Sequence, residues 1–189
     1  MRVIAGQYKS RPLRSLRGMD IRPTADRLRE TLFDVLCGGN PNALTGSTWL
    51  DLYAGTGAVG IEALSRGAAL VCFVESSKAA ADLIGANLKS LGISSGFRLV
   101  KADVGKTLGK LAETQPPADF IFLDPPYRMH EEYARSLGAL EDSRLADETT
   151  IVIAEHEKKF DPGDRCGRLS RYRRLNQGDA ALSFYRVGG

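Results

Sequence analysis

The sequence has few cysteines, few histidines and no long apolar run, and each shortage excludes a class of protein. Cys37, Cys72 and Cys166 are odd in number and widely spaced, so neither a disulfide framework nor a zinc site is indicated. The two histidines, His130 and His156, stand beside no serine or cysteine nucleophile motif, and we expect both to be structural and no metal to be bound. No segment is apolar over enough residues to cross a membrane, and the first residues lack the apolar centre of a signal peptide. These shortages favour a cytoplasmic protein with reduced thiols.

The net charge of +3 hides an uneven distribution of charged side chains. Residues 1–30 and 158–189 each carry eight basic and three acidic side chains, whereas residues 31–157 have a net charge of −7. Positive ends on an acidic body favour a polyanion, gripped by both termini, as the partner. The alternative is solvated surface charge, which is the usual role of lysine and arginine.

The first forty residues differ in pattern from the rest of the chain. Residues 1–17 alternate apolar and basic side chains, which predicts a short β-hairpin or arm. Thr24 is a candidate N-cap for the helix that follows, and Gly38 ends it. We therefore predict a basic arm and helix over residues 1–40, which contacts RNA and covers a cofactor, and a larger domain over residues 41–189.

From residue 48 onward, strand and helix patterns alternate regularly. Such units predict an α/β fold with a mostly parallel, doubly wound sheet, whose ligands lie at the carboxyl ends of the strands. A terminal antiparallel hairpin over residues 168–186 completes what we expect to be a seven-stranded Rossmann-like sheet. The predicted strands of the parallel half lie at 48–54, 70–75, 97–102, 119–124 and 150–155.

A glycine-rich turn joins the first strand to its helix. Gly55, Gly57 and Gly60 let the chain bend sharply and let the backbone approach a ligand, near the positive end of the helix dipole. Glu75 follows at the distance at which an acid binds a ribose. This spacing alone is also compatible with a nicotinamide dehydrogenase, or with an ordinary tight turn. Asp51 favours a third alternative, because its buried carboxylate would pair with a cationic, amine-bearing cofactor such as S-adenosylmethionine.

Asp124-Pro125-Pro126-Tyr127 follows the fourth strand and resembles the signature of amino-directed methyltransferases. The Asp124 carboxylate and the Pro125 carbonyl can hold both N–H groups of an exocyclic amine, whose lone pair is otherwise delocalised into the base. The prolines keep those acceptors aimed outward, and Tyr127 offers a face on which an extruded base can stack. A rigid surface turn is the alternative for this tetrapeptide. Asp103, at the third strand end, could equally be an N-cap.

Three stretches together resemble one family, the bacterial guanine-N2 methyltransferases of 16S ribosomal RNA from the small subunit. The resemblance covers nearly the whole chain, and its most specific part is the predicted helix that has Arg22-Pro23-Thr24 at its start. Tyr53 stands where phenylalanine is common in that family. The stretches are 2–6 with 22–33, the glycine segment through 67, and the tail 178–186.

The resemblance implies a set of roles for individual residues. Asp51, Gly55 and Gly57 would surround the methionine part of S-adenosylmethionine, Glu75 would bind its ribose, and Asp103 with the Val104 amide would bind its adenine. The target guanine would contact the catalytic set Asp124, Pro125, Pro126 and Tyr127. The full cofactor-binding set is Asp51, Tyr53, Gly55, Thr56, Gly57, Glu75, Ser76, Asp103, Val104 and Asp124. The RNA-binding set is Arg2, Lys9, Arg11, Arg14, Arg17, Arg22 and Arg27.

Two further functions compete with guanine methylation. An adenine-N6 methyltransferase of DNA would use the same tetrapeptide, although this short chain leaves little room for a DNA-reading domain. A nonenzymatic RNA-binding assembly factor would have no use for an intact 124–127 set. The expected partner is therefore 16S rRNA in the small subunit or an assembly intermediate, and we expect a monomer.

Overall fold

A single mixed sheet with helices on both faces forms the body of the molecule. The computed structural model describes residues 1–15 and 23–188. The helices are α1 (Pro23–Cys37), α2 (Ala58–Ser65), α3 (Lys78–Leu91), α4 (Val104–Thr114) and α5 (His130–Glu141). The strands are β1 (Thr48–Leu52), β2 (Leu70–Val74), β3 (Phe97–Val100), β4 (Phe120–Leu123), β5 (Ile151–Glu157), β6 (Arg165–Cys166), β7 (Leu169–Gln177) and β8 (Ala180–Val187).

The strand order is β3-β2-β1-β4-β5-β8-β7-β6. Strands β1 to β5 are parallel, and β8 then pairs with β5 in the antiparallel direction. The predicted α/β class, parallel half and terminal hairpin are confirmed, but the predicted count of seven strands is wrong, because the described sheet has eight. The additional strand, β6, has two residues beside the turn glycine Gly167, which is too short for an alternating pattern to reveal.

Each face of the sheet has its own apolar core. On one face, α1, α2, α3 and the N-terminal arm cover the strands, and on the other α4 and α5 do. Trp49 of β1 lies at the centre of the first core, fully buried, with ring centroids 5.5 Å from Phe33 and 4.6 Å from Phe120. This packing attaches α1 to the same strand that carries Asp51.

The capping residues of two helices differ from the predicted ones. Helix α3 begins at Lys78, as predicted, but its cap is Ser77, whose Oγ accepts a hydrogen bond from the Ala80 amide, whereas the sequence suggested Ser76. Helix α1 already includes Pro23, so Thr24 lies within its first turn. Proline suits a first helical turn because its missing N–H has no partner there in any case.

The N-terminal arm doubles back on itself, as predicted, and is held onto α2. An isolated antiparallel bridge joins Arg2 to Pro12. The Glu62 carboxylate, fully buried, accepts hydrogen bonds from the amides of Ile4 (2.7 Å) and Ala5 (2.9 Å). A Cβ on Gly6 would lie 1.8 Å from a backbone oxygen of α2, so this contact admits only glycine. Along the described ranges, no helix combines the length and apolar character that a bilayer crossing requires.

Candidate active site

The glycine-rich turn lies between β1 and α2, where close packing and a hydrogen bond fix the backbone. Gly57 caps α2 in the left-handed conformation, with φ 75°. A Cβ on Gly60 would lie 2.3 Å from the ring of Phe73, so helix and strand approach more closely than any other residue allows. The Gly60 amide donates to the Asp51 carboxylate at 2.9 Å. The predicted turn is therefore present, and Asp51 fixes the start of α2.

Glu75 follows β2 and braces the same turn from the next strand. Its two carboxylate oxygens accept hydrogen bonds from the Gly55 amide at 2.8 Å and from the Ser77 amide at 2.7 Å. Ser76, which lies between Glu75 and Ser77 in the sequence, is exposed. A carboxylate oxygen can accept a second hydrogen bond, so Glu75 keeps acceptor capacity for a ribose hydroxyl.

Asp103 is the N-cap of α4, which was the alternative to a cofactor-binding role for this residue. Its Oδ1 accepts a hydrogen bond from the Lys106 amide at 3.1 Å, and its side chain is exposed. Val104 begins the helix and is buried. The N-cap bond occupies one oxygen, which leaves the other carboxylate oxygen at the carboxyl edge of the sheet.

A cavity of about 270 Å³ opens above β1 and β4, beneath the N-terminal extension. Met1, Ser15 and Arg29 contribute to its wall from the arm and α1. Of the predicted cofactor-binding and catalytic residues, five line it: Asp51, Tyr53, Gly55, Thr56 and Asp124. Those outside its wall are Gly57, Glu75, Ser76, Asp103, Val104, Pro125, Pro126 and Tyr127.

Tyr53 shares the cavity wall, but its hydroxyl lies elsewhere. The backbone has φ 60°, which is uncommon for a residue other than glycine. The hydroxyl donates to Glu132 of α5 at 2.9 Å and lies 2.8 Å from the Ser136 hydroxyl. Tyr53 therefore ties the glycine turn to α5, which a phenylalanine at this position could not do.

Asp51 is buried and Asp124 is half-buried at the cavity, and both carboxylates have few hydrogen bonds. Burial raises the pKa of Asp51 to about 7, against the hydrogen bond from Gly60, and the charge of Glu75 raises it further. Burial also raises the pKa of Asp124, to which the charges of Glu155 and Asp51 add. The Asp124 carboxylate accepts no hydrogen bond from a described residue. It is therefore available to a donor in the cavity.

The residues after Asp124 are held by two tyrosines. The Tyr127 hydroxyl donates to Glu155 Oε1 at 3.3 Å. The Tyr133 hydroxyl donates to the Glu155 carbonyl at 2.9 Å and lies 3.4 Å from the Pro125 carbonyl. The Pro125 carbonyl thus already has a distant donor, although its second lone pair can still accept an N–H. The proline pair is fixed in place and is not a free surface turn.

The two histidines serve packing. His156 is fully buried, with Nε2 2.9 Å from the Ser183 hydroxyl, as the structural interpretation expected. His130 stacks on Phe160 at 4.0 Å between ring centroids and does not line the cavity. Within residues 1–15 and 23–188, no three His, Cys, Asp or Glu side chains are grouped as metal ligands.

Two cavity residues were missed in the sequence. Glu155 lies inside β5 beside Asp124, which follows β4, and the register pairs the residues before them, Leu123 with Ala154. Its position at the end of an apolar run was the available signal. Arg29 is only 5% exposed and lines the same cavity, although its pattern suggested a surface arginine. No sequence signal distinguished it from its exposed neighbour Arg27.

The donor set fits S-adenosylmethionine. Among the described residues that line the cavity, four are carboxylates and one is a guanidinium: Asp26, Asp51, Asp124, Glu155 and Arg29. Buried negative charge in excess is costly unless a cation joins it. A cofactor that carries a sulfonium and an ammonium group would supply that cation beside Asp51. Gly55 and Thr56 of the glycine turn form part of the same wall.

The basic residues of the two ends of the chain have different environments, and the predicted RNA-binding set belongs to the N-terminal end. Near the N-terminus, Arg2, Lys9, Arg11, Arg14 and Arg27 are all exposed, while Arg17 and Arg22 lie outside the described residues.

At the C-terminus, local acids neutralise part of the basic charge. Arg171, with a side chain 9% exposed, pairs with Asp161 at 2.6 Å and with Asp164. Arg174 pairs with Asp161 at 2.8 Å. Part of the basic charge counted at this end is therefore matched by local acids, because a count of charged residues does not register ion pairs.

Comparison with known proteins identifies the family. Residues 1–186 match the family model described as "Conserved hypothetical protein 95". The Bacillus subtilis protein named "Putative rRNA methyltransferase YlbH" is 31% identical over 189 residues, which is the full length of both chains. The Haemophilus influenzae protein named "Ribosomal RNA small subunit methyltransferase D" is 36% identical over 159 residues, covering 84% of this chain and 79% of the relative.

A solved structure shows the same fold over its whole length. The hypothetical protein TTHA0928 from Thermus thermophilus superposes with a TM-score of 0.82 and 27% identity, covering 99% of both chains. This likeness extends over the N-terminal arm as well as the sheet. The chain therefore belongs to the "Conserved hypothetical protein 95" family, together with the curated ribosomal RNA small subunit methyltransferases D.

Proposed function

We propose that this protein is an S-adenosylmethionine-dependent methyltransferase that acts on the exocyclic N2 of a guanine in 16S rRNA of the small ribosomal subunit. The observation that carries the proposal is the Asp124 carboxylate, which lacks a hydrogen-bond donor and shares one cavity with Asp51 and the glycine turn. The names of the family members support ribosomal RNA as the substrate. The acceptor pair at Asp124 and Pro125 supports an amine as the target.

Each residue at the cavity has a task in this proposal. S-adenosylmethionine supplies an electrophilic methyl group when bound. Asp51 faces the positive charge of the cofactor, and Glu75 holds the glycine turn against which the cofactor lies. Asp124 accepts an N–H of the target amine and favours a pyramidal nitrogen. Because its pKa is raised, Asp124 also accepts a proton more readily than a surface aspartate does.

We also propose that residues 1–40 cover the cofactor and contact RNA, while residues 41–189 form the methyltransferase domain. Met1 and Ser15 of the arm line the cavity, and so do Leu28 and Arg29 of α1. The exposed basic residues of the arm lie on the outside of the same segment. A cover and an RNA surface would then be two faces of one extension. The monomeric state and the cytoplasmic location stay predictions.

Methyl transfer tests the proposed reaction. We expect the wild-type protein to transfer a labelled methyl group to small-subunit particles from a strain that lacks the enzyme, and mass analysis to identify N2-methylguanosine. Transfer to DNA, with an N6-methylated deoxyadenosine as the product, would show the adenine alternative to be right. Absence of transfer together with absence of S-adenosylmethionine binding would leave the assembly-factor alternative.

A substitution at Asp124 tests its role. We expect Asp124→Ala to abolish turnover and to leave cofactor affinity within about tenfold, because contacts made in the transition state are lost. Asp82→Asn is the control, since Asp82 is an exposed acid that pairs with Lys101. Unchanged turnover in Asp124→Ala would remove Asp124 from the reaction.

The RNA surface is tested by salt dependence. We expect Lys9→Ala with Arg14→Ala to weaken RNA binding and to lower the slope of log K against log salt by about 1 to 2. Lys106→Ala with Lys110→Ala removes equal charge from the exposed face of α4 and is the control. Equal effects of both pairs would show that the arm has no particular RNA contact.

A further inference from the structure

Glu155 offers a free acceptor beside Asp124. The two acids follow paired residues of adjacent parallel strands and line the same cavity. The Tyr127 hydroxyl binds Oε1 at 3.3 Å, whereas Oε2 has no hydrogen-bond partner among the described residues. The Tyr133 hydroxyl holds the Glu155 carbonyl and so fixes the backbone of this acid. Glu155 therefore has one committed oxygen and one available oxygen.

Arg29 offers a free donor at the same cavity. Its Nη2 donates to the Arg2 carbonyl at 2.5 Å and to Asp26 at 3.0 Å, which fixes the guanidinium. Its Nε is sealed inside the protein, 4.0 Å from Glu62, and is not the atom that a ligand would reach. Its Nη1 makes no hydrogen bond to a described residue and is not sealed in the same way. Because Arg29 lines the cavity, this nitrogen can donate to an acceptor on a ligand.

The Watson–Crick edge of guanine has a matching order of groups. It presents the N2 amine as donor, N1–H as donor and O6 as acceptor, whereas adenine presents N1 as an acceptor. A row of two acids and an arginine, with the first acid at the amine, matches these three groups of guanine. Adenine presents an acceptor at N1, which would repel the second acid. A site that hydrogen-bonds one pattern rejects the other strongly, because its own buried groups are then left without partners.

We propose that Glu155 Oε2 accepts guanine N1–H and Arg29 donates to guanine O6 while Asp124 holds N2, so that these two residues select guanine. This inference rests on the proposed guanine-N2 methylation and names the residues that read the base. Glu155 and Arg29 then determine specificity, and Asp124 remains the residue at the reacting amine.

2-Aminopurine separates base reading from structural roles. This base keeps the 2-amino group, but its N1 is an acceptor and it has no O6. Small-subunit particles are reconstituted with guanine or 2-aminopurine at the methylated position, and methyl transfer to each is measured. We expect the wild type to prefer guanine by at least about a hundredfold.

Glu155→Gln places an amide donor opposite N1. We expect guanine turnover to fall and the preference over 2-aminopurine to shrink at least about tenfold, since the amide can donate to N1 of 2-aminopurine. Arg29→Lys removes a donor that only guanine uses, so it should also shrink the preference. A folding defect lowers both turnovers equally and leaves their ratio unchanged. Glu157→Gln, two residues along β5 and outside the cavity wall, is the control.

The outcomes separate this inference from the function on which it rests. A wild type that does not methylate guanine N2 would refute the proposed function. A wild type that does so, with Glu155→Gln and Arg29→Lys keeping the wild-type ratio, would refute base reading alone. A ratio that falls in both variants and not in Glu157→Gln supports it.

Discussion

Glu62 is the acid on which the attachment of the N-terminal arm depends, and its removal has a calculable consequence. The carboxylate is fully buried and accepts the Ile4 and Ala5 amides. Arg66 Nε lies 2.8 Å from one oxygen, and Arg29 Nε lies 4.0 Å from the other. In Glu62→Gln, one oxygen is replaced by an amide donor that opposes a backbone or arginine N–H. The buried arginines also lose their counter-charge.

We expect Glu62→Gln to lower the free energy of unfolding by about 3–5 kcal/mol, the usual cost of breaking a buried ion pair from one side. Urea denaturation measures this loss. We also expect trypsin to cleave after Lys9 and Arg14 faster in the folded variant, because the arm leaves α2 more often. The arm lines the cavity through Met1 and Ser15, so any cofactor affinity should fall with it.

The control for Glu62→Gln is Glu30→Gln, which removes the same charge from an exposed position of α1. It should change stability by no more than about 0.5 kcal/mol. A Glu62→Gln variant that stays within that range, with its arm cleaved at the wild-type rate, would refute this role of Glu62. Global destabilisation without selective cleavage would show that Glu62 stabilises the core and does not specifically hold the arm.

Three smaller predictions test the turn and the cavity. Gly60→Ala should destabilise the fold by about 1–3 kcal/mol in urea denaturation, because its Cβ would lie 2.3 Å from the Phe73 ring. Gly109→Ala is the control, since its Cβ would lie in open space, and it should stabilise the fold by about 0.5–1 kcal/mol. Equal effects of the two substitutions would contradict the packing argument. Tyr53→Phe removes two hydrogen bonds to α5 and should cost about 1 kcal/mol by thermal unfolding; no loss would mean that these bonds are not formed. Burial raises the pKa of Glu155 from 4.5 to about 7, so the folded state holds the proton more tightly and loses stability as the pH rises between those values. Glu155→Gln should therefore stabilise the protein by about 3 kcal/mol more at pH 8 than at pH 4, and a gain independent of pH would refute the shift.

The sequence predicted the site where parallel-sheet topology alone determines position. Carboxyl ends of parallel strands meet at one edge, so Asp51 and Asp124 could be placed together from their strand patterns. The same rule would have included Glu155, which ends the predicted strand 150–155. The two-residue β6 was beyond prediction, since so short a strand has no detectable period.

Long-range pairing accounts for what the sequence did not reveal. Glu62 was visible only as part of a glycine segment, yet its partners are 57 and 58 residues away in the chain. Arg29 and Arg27 belong to the same helical run, and only the fold determines that one is buried and the other exposed. At the C-terminus, the basic count included Arg171, whose charge is matched by Asp161 and Asp164.

Helix α2 explains why the arm and the cofactor turn occupy fixed relative positions. At its start the Gly60 amide binds Asp51, and one turn later Glu62 and Ser65 bind the arm. Eight helical residues span only about 12 Å, so both attachments belong to one rigid element. Arg29 adds a second link, because its Nη2 binds the arm at the Arg2 carbonyl while the same side chain lines the cavity. An arm that moved away from α2 would therefore change the cavity wall at Met1 and release one partner of Arg29. For this reason the opening residues belong to the site as much as the glycine turn does, and an N-terminal truncation should be assayed for base selectivity as well as for RNA affinity.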